Sequence, residues 1–161
     1  TYMLVGGFPE AVKAYQETGS LEDVRRVQTK YRQLFSDLLA DKFSFIHQRN
    51  LLRVTDSIPL HLAKKNKKFQ LKYVENGGTN RKYEPDLLWL FEKGYLGQSH
   101  NLLVPVIAGE NVIENQYEAF LPDVGWYMSE VPEERQFEVL RGDFSQNDGE
   151  LLYALFADLN I

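Results

Sequence analysis

The sequence predicts an α+β fold, mostly helical, built around a winged helix-turn-helix core with a small β-hairpin wing. Three observations predict it. Apolar residues recur at helical spacing from Leu21 to Leu38 and again from Tyr83 to Phe91. Between them, Ser57-Ile-Pro-Leu-His-Leu-Ala-Lys-Lys-Asn-Lys-Lys-Phe69 runs from an amphipathic stretch into a lysine cluster, ahead of a turn at Gly77-Gly78. After Gly94 the period changes. Tyr95 to Ile107 and Tyr117 to Leu121 are rich in β-branched, aromatic and leucine residues, with Ala108-Gly-Glu-Asn111 as the turn between extended segments.

Taken in order, residues 1–9 read as the end of a preceding element closed by a Gly6-Gly7 turn. Pro9 suits the first position of a helix and Glu10 favours its positive end, so Glu10 to Glu17 is predicted as a short helix stopped by Gly19. Ser20 with Asp23 resembles a capping box and opens a long helix. Leu21, Val24, Val27, Tyr31, Leu34, Leu38 and Phe45 are expected to form its buried stripe, with Lys13, Arg25, Arg26, Lys30 and Arg32 on solvated faces. Thr55 is expected to cap a helix over Asp56 to Lys65, which places Pro59 in the first turn.

Lys64 to Lys68 is too polar to pack and reads as an exposed helix end plus a turn. Phe69, Leu71, Tyr73 and Val74 form a compact apolar group before Glu75-Asn-Gly-Gly78. The next helix is predicted over Tyr83 to Lys93, with Leu87, Leu88, Leu90 and Phe91 inward and Gly94 as the stop. Pro85 then falls in its first turn, and Arg81 and Lys82 in the preceding loop. Val124 to Val131 fits either a short helix or a strand. Arg141 to Gly149 reads as a polar loop and Glu150 to Leu159 as an amphipathic helix.

The 161 residues suffice for one domain with a core, or one domain and part of another. Hydrophobic residues at 43% and charged residues at 25% are ordinary for a globular chain. No apolar run approaches a membrane span and no secretory segment is present, so a soluble, cytoplasmic protein with no membrane partner is expected. With no cysteine, disulfides and thiolate metal sites are excluded. The chain opens on Thr1, and its last predicted helix runs to the end, which reads as a piece of a longer protein.

The net charge of −5 argues against nucleic acid until it is divided along the chain. From Arg49 to Lys82 nine basic residues face two acidic ones, a local balance of +7. From Glu110 to Glu150 eleven acidic residues face Arg135 and Arg141, a balance of −9. Screening acts over about 8 Å at physiological salt, so a local patch outweighs the total. Phosphate and an acidic protein surface, this chain's own included, compete for the basic segment.

Four stretches carry a resemblance: Val5-Gly-Gly-Phe-Pro-Glu-Ala-Val12, Asp56-Ser-Ile-Pro through Asn66-Lys-Lys-Phe69, Tyr83 through Leu96, and Phe120-Leu-Pro-Asp-Val-Gly125. In this order they resemble the C-terminal region of prokaryotic AAA-type P-loop ATPases that end in a domain of unknown function, number 4143. The resemblance implies a helical linker or support region over 1–50, a winged-helix domain over 51–122, and the start of an incomplete restriction-endonuclease-like domain over 123–161. It also implies an ATPase core in the same polypeptide, with ATP and magnesium as that core's cofactors. No GxxxxGK[ST] sequence occurs here, so the chain itself is expected to hold no cofactor and to be no enzyme. In such proteins a glutamate like Glu150 opens the nuclease-like fold.

The candidate nucleic-acid-binding residues are Lys64, Lys65, Lys67, Lys68, Lys72, Arg81 and Lys82. Lysine suits phosphate as a mobile point charge, and neutralising several phosphates gives strongly salt-dependent binding. The competing reading is a solvated helix end whose lysines complement the helix dipole. Double-stranded DNA, the ATPase core and a second copy of the chain are the expected partners. His47, His61 and His100 lack ligand-like spacing, so no metal site is predicted. His61 reads as a packed or partly exposed helix residue, and Trp89 and Trp126 read as core. Asp123, Glu130, Glu133, Glu134, Asp143, Asp148 and Glu150 supply carboxylates for magnesium in principle, and an acidic solubilising surface by the simpler reading. Ser57 has no histidine and acid partner, so nucleophilic catalysis has no support.

Overall fold

Helix propensity and capping order the first half of the chain. The computed structural model describes residues 2–62, 64–102, 112–129, 131, 132, 134, 136, 138 and 141. Helix α1, Tyr2–Val5, gives way at Gly6, whose φ of 73° lies in the left-handed region. Helix α2, Pro9–Thr18, begins at its proline and ends at left-handed Gly19, whose N–H donates to the Tyr15 carbonyl. Helix α3, Leu21–Lys42, starts where the Ser20 hydroxyl accepts from the Asp23 N–H at 3.3 Å.

The buried face of α3 is Val24, Gln28, Phe35 and Leu39, which corrects part of the expected stripe. Leu34 is 50% exposed, Leu38 39% and Phe45 73%. Phe35 and Leu39 sit one position beyond Leu34 and Leu38, on the inward side of the same turns. A polar residue, Gln28, holds the fourth inward position because its amide donates to the carbonyls of Leu4 at 2.8 Å and Val5 at 3.2 Å. These are carbonyls from the end of α1, where the helix lacks its own donors.

Helix α4 spans Phe45–Leu62, eleven residues earlier than the predicted start at Asp56. Thr55 is therefore buried mid-helix rather than a cap, and its hydroxyl donates to the Leu52 carbonyl at 2.9 Å. Pro59 lies inside the helix, not in its first turn. An interior proline costs about 3 kcal/mol. Burial of Leu51, Val54, Ile58 and Leu62 at about 1.5–3 kcal/mol each outweighs it.

A short helix α5, Leu71–Val74, follows the lysine loop and leads into the turn at Glu75 to Gly78, with Gly77 at φ 76°. Helix α6 spans Asn80–Glu92 and buries Tyr83, Asp86, Leu87 and Leu90. Three expectations are corrected here. Pro85 lies inside α6, Arg81 and Lys82 belong to its first turn rather than to a loop, and Leu88 is 54% exposed. Gly94, at φ 71°, stands just past the helix end as expected.

Strand β1, Gly97–Leu102, pairs antiparallel with β2, Val112–Phe120, in the register Gly97 to Phe120 and His100 to Tyr117, with an irregularity between His100 and Leu102. The predicted turn at 108–111 lies outside the described residues. Helix α7, Val124–Ser129, resolves the open choice there in favour of a helix. Among the described residues the architecture is thus mostly helical with one small antiparallel sheet. One apolar cluster takes in residues from Leu4 to Met128, drawing on helices at both ends and on β2. Trp126 is buried in it, edge-on to Phe35 at 5.0 Å, and half-buried Trp89 packs against it. No helix among the described residues is long and apolar enough to cross a membrane.

Candidate functional site

The lysine loop is built on the end of α4. His61 is fully buried, its Nδ1 2.8 Å from the Ser57 carbonyl oxygen and its Nε2 3.0 Å from that of Gln70. The ring stacks on Phe69 at 4.6 Å and meets Tyr73 edge-on at 5.3 Å. One imidazole thus holds both ends of the loop, and the polar residues between them turn outward. Phe69 ties the loop to the hairpin: its N–H donates to the Tyr117 carbonyl at 2.8 Å and its ring stacks on that of Tyr117 at 5.5 Å. Burial pushes the Tyr117 hydroxyl up to about 12.

The seven predicted cations take up different positions. Lys64 and Lys65 are exposed. The Lys64 and Lys72 ammonium groups lie 5.4 and 4.9 Å from the centre of a single ring, that of Tyr73. Lys67 donates to the Leu62 carbonyl at 2.5 Å, where the negative end of the α4 dipole favours a cation. Lys68 donates to Gln116 Oε1 on β2. Lys64 and Lys72 therefore share one corner between the end of α4 and α5, with exposed Lys65 next to Lys64 along the chain and Lys68 reaching β2 at Gln116. Arg81 is exposed on the first turn of α6.

Lys82 has a different environment. Its ammonium is bonded to Glu75 Oε2, which also accepts from the Tyr83 hydroxyl at 3.0 Å, while Arg53 donates to Glu75 Oε1 at 2.5 Å. Lys82 first and Tyr83 second hold the Glu75 carboxyl down at about 2, with desolvation opposing them and Arg53 adding a smaller downward effect. Arg53 in turn is raised above its ordinary value, chiefly by Tyr83 and Glu75. Glu75 thus neutralises charge in the turn before α6, leaving the α4–α5 corner as the more open basic surface.

Two arrangements have no signal in the sequence, because their partners are distant along the chain. Buried Asp86 on α6 meets His47 Nδ1 at 2.7 Å and accepts from the Asn50 amide at 2.9 Å, joining α6 to the start of α4. Asp123, among the carboxylates considered for magnesium, instead accepts from the backbone N–H groups of Gly7 and Trp126. Glu134 is exposed, and Glu130, Glu133, Asp143, Asp148 and Glu150 lie outside the described residues. No cluster of three metal-ligating side chains occurs among the described residues. A cleft of about 320 Å³ opens between α3 and α4 over Phe35 and Trp126, but its charged walls, Arg32 and Asp56, face each other at 3.5 Å, so neither sign dominates.

No curated protein and no solved structure matches this chain. A family model does, over residues 1–130, which takes in every element from α1 to α7 and the whole lysine corner. It is a different model from domain of unknown function 4143, the one that the sequence resemblance led us to expect. The chain belongs to the family described as Domain of unknown function (DUF8612).

Proposed function

We propose that this chain is a nucleic-acid-binding module, an accessory part of a prokaryotic AAA-type ATPase, that grips the phosphate backbone through its lysine corner. The observation carrying this reading is the convergence of Lys64 and Lys72 on one ring, with Lys65 exposed beside them and Lys68 reaching β2. Lysines gathered at one ring raise the local positive potential, and a phosphate backbone neutralises that potential while releasing its own counterions. The order α4, α5, turn, α6, β1, β2 supports a winged helix-turn-helix as the scaffold. The link to an ATPase rests on the order of the four sequence stretches.

Fluorescence anisotropy against duplex DNA over a salt series tests the reading. Binding that weakens steeply with salt, and is lost when Lys64 and Lys65 are both changed to Glu, supports it. No measurable affinity for either duplex or single-stranded DNA at low salt, or no response to charge reversal, removes it.

A second reading, a regulatory module docking on the ATPase core or another subunit, draws on Phe45 and Ile46, which are 73% and 58% exposed side by side at the start of α4. Self-association or core binding abolished by changing both to Ser, with no DNA affinity, is its signature.

A further inference from the structure

We infer that the lysine corner takes an unpaired nucleic-acid strand, with Tyr73 as the platform on which a base stacks. This rests on the nucleic-acid reading above and narrows its ligand from nucleic acid in general to single strands.

Two features of α6 weigh against insertion into a duplex groove. A helix reading the major groove presents hydrogen-bond donors and acceptors to base edges along its exposed face. Beyond Asn80 and Arg81, the exposed face of α6 carries Glu84, Pro85, Leu88 and Glu92. Two carboxylates there repel phosphate, and the proline and leucine read no base. The second feature is Glu75, which occupies Lys82 at the start of the helix.

The corner has what the helix lacks. Proteins that bind single strands combine cations that follow the backbone with aromatic rings on which bases stack. Here the sequence Lys64 to Tyr73 interleaves the two, and the structure brings Lys64 and Lys72 to the one ring of Tyr73. Tyr73 is partly exposed. It is also held in place: its ring and the buried His61 ring meet at right angles with centres 5.3 Å apart, and His61 is fixed between the Ser57 and Gln70 carbonyls. A ring pre-positioned in this way loses little freedom when a base lies on it. The two lysine stems are flexible enough to swing their ammonium groups from the ring to the flanking phosphates.

Anisotropy on the full chain with three labelled probes tests this: a thymidine oligonucleotide strand, the same strand built of abasic sites, and a duplex of equal length. The strand is expected to bind tightest. Tyr73→Leu is expected to weaken strand binding by about tenfold or more, to leave the abasic and duplex probes within about twofold, and to leave the salt slope unchanged. Tyr73→Phe, which keeps the ring, is expected to bind the strand as the native chain does. Equal weakening of all three probes by Tyr73→Leu, or no weakening of any, overturns the stacking role while leaving the phosphate reading standing. If Tyr73→Leu does not fold by circular dichroism, the native chain decides: equal affinity for the thymidine and abasic strands overturns the proposal. Absence of binding to every probe at low salt overturns both readings.

Discussion

The N–H of Gly7 donates to Asp123 Oδ2 at 2.5 Å, across 116 residues of sequence. The same carboxylate receives the Trp126 N–H on Oδ1 at 3.2 Å, so it caps α7 and fastens the turn after α1 to it. Removing it breaks this part-buried bond from Gly7 and the buried one from Trp126. Asp123→Ala is expected to lower stability by about 1–3 kcal/mol, and Asp123→Asn, which keeps an acceptor, by less. Urea melts of the three proteins check the order.

Gly6 and Gly19 separate two costs of replacing glycine. Both have positive φ, 73° and 64°. A Cβ on Gly6 meets Asp123 Oδ1 at 2.2 Å and the Gly125 backbone at 2.7 Å, whereas a Cβ on Gly19 meets nothing within 4 Å. Gly19→Ala is expected to cost about 1 kcal/mol, the left-handed strain alone. Gly6→Ala is expected to cost several times that, because backbone must move as well. Thermal melts rank them, and equal costs would show that the α1–α7 junction yields freely.

Glu75 makes the turn before α6 sensitive to acid. Its folded value of about 2 lies below the ordinary 4.5, so its contribution is fully present above about 4.5 and lost as pH falls towards 2. Glu75→Gln is therefore expected to be less stable than the native chain at pH 6, with the gap closing between about pH 4.5 and 2. Denaturant melts across that range check the sign. A gap independent of pH would mean that the carboxylate's charge contributes nothing.

The same carboxylate divides the predicted cations. Lys65→Ala removes an exposed charge and is expected to weaken DNA binding and reduce the salt slope by about one. Lys82→Ala removes a charge already bonded to Glu75 and is expected to change affinity by less than about twofold while lowering stability. Anisotropy and melts on both variants read the two effects separately.

Asp86 holds two α4 side chains from its buried place on α6. Asp86→Ala is expected to destabilise by about 1–3 kcal/mol through the loss of both bonds. Asp86→Asn should recover part of that. The nitrogen signals of the His47 ring, followed by NMR, should shift in both variants.

Local rules made α2 and the start of α3 legible. Pro9, Gly19 and Ser20 act through their own dihedrals and caps, and the helix bounds fell within a residue or two of where those residues put them. Gly77, Gly94 and the change to period two after Gly94 were equally local. The errors arose where burial outweighed a local preference. Pro59 and Pro85 read as first-turn residues because an interior proline is costly, yet the apolar faces of α4 and α6 bury enough surface to carry them. Leu34 and Leu38 have the right spacing for a core stripe, but so do Phe35 and Leu39 one position on, and spacing alone does not say which set faces inward.

The amino-acid order by itself determined α2 and the start of α3, the hairpin after Gly94 and the concentration of positive charge between Arg49 and Lys82, since each depends on neighbours a few residues away. Only the tertiary structure decided which of those charges stand open. Glu75 claims Lys82 and Arg53, Leu62 and Gln116 take up Lys67 and Lys68, and Tyr73 receives Lys64 and Lys72 together. A charge's surroundings are set by through-space distance, and folding brings together groups that the chain keeps far apart.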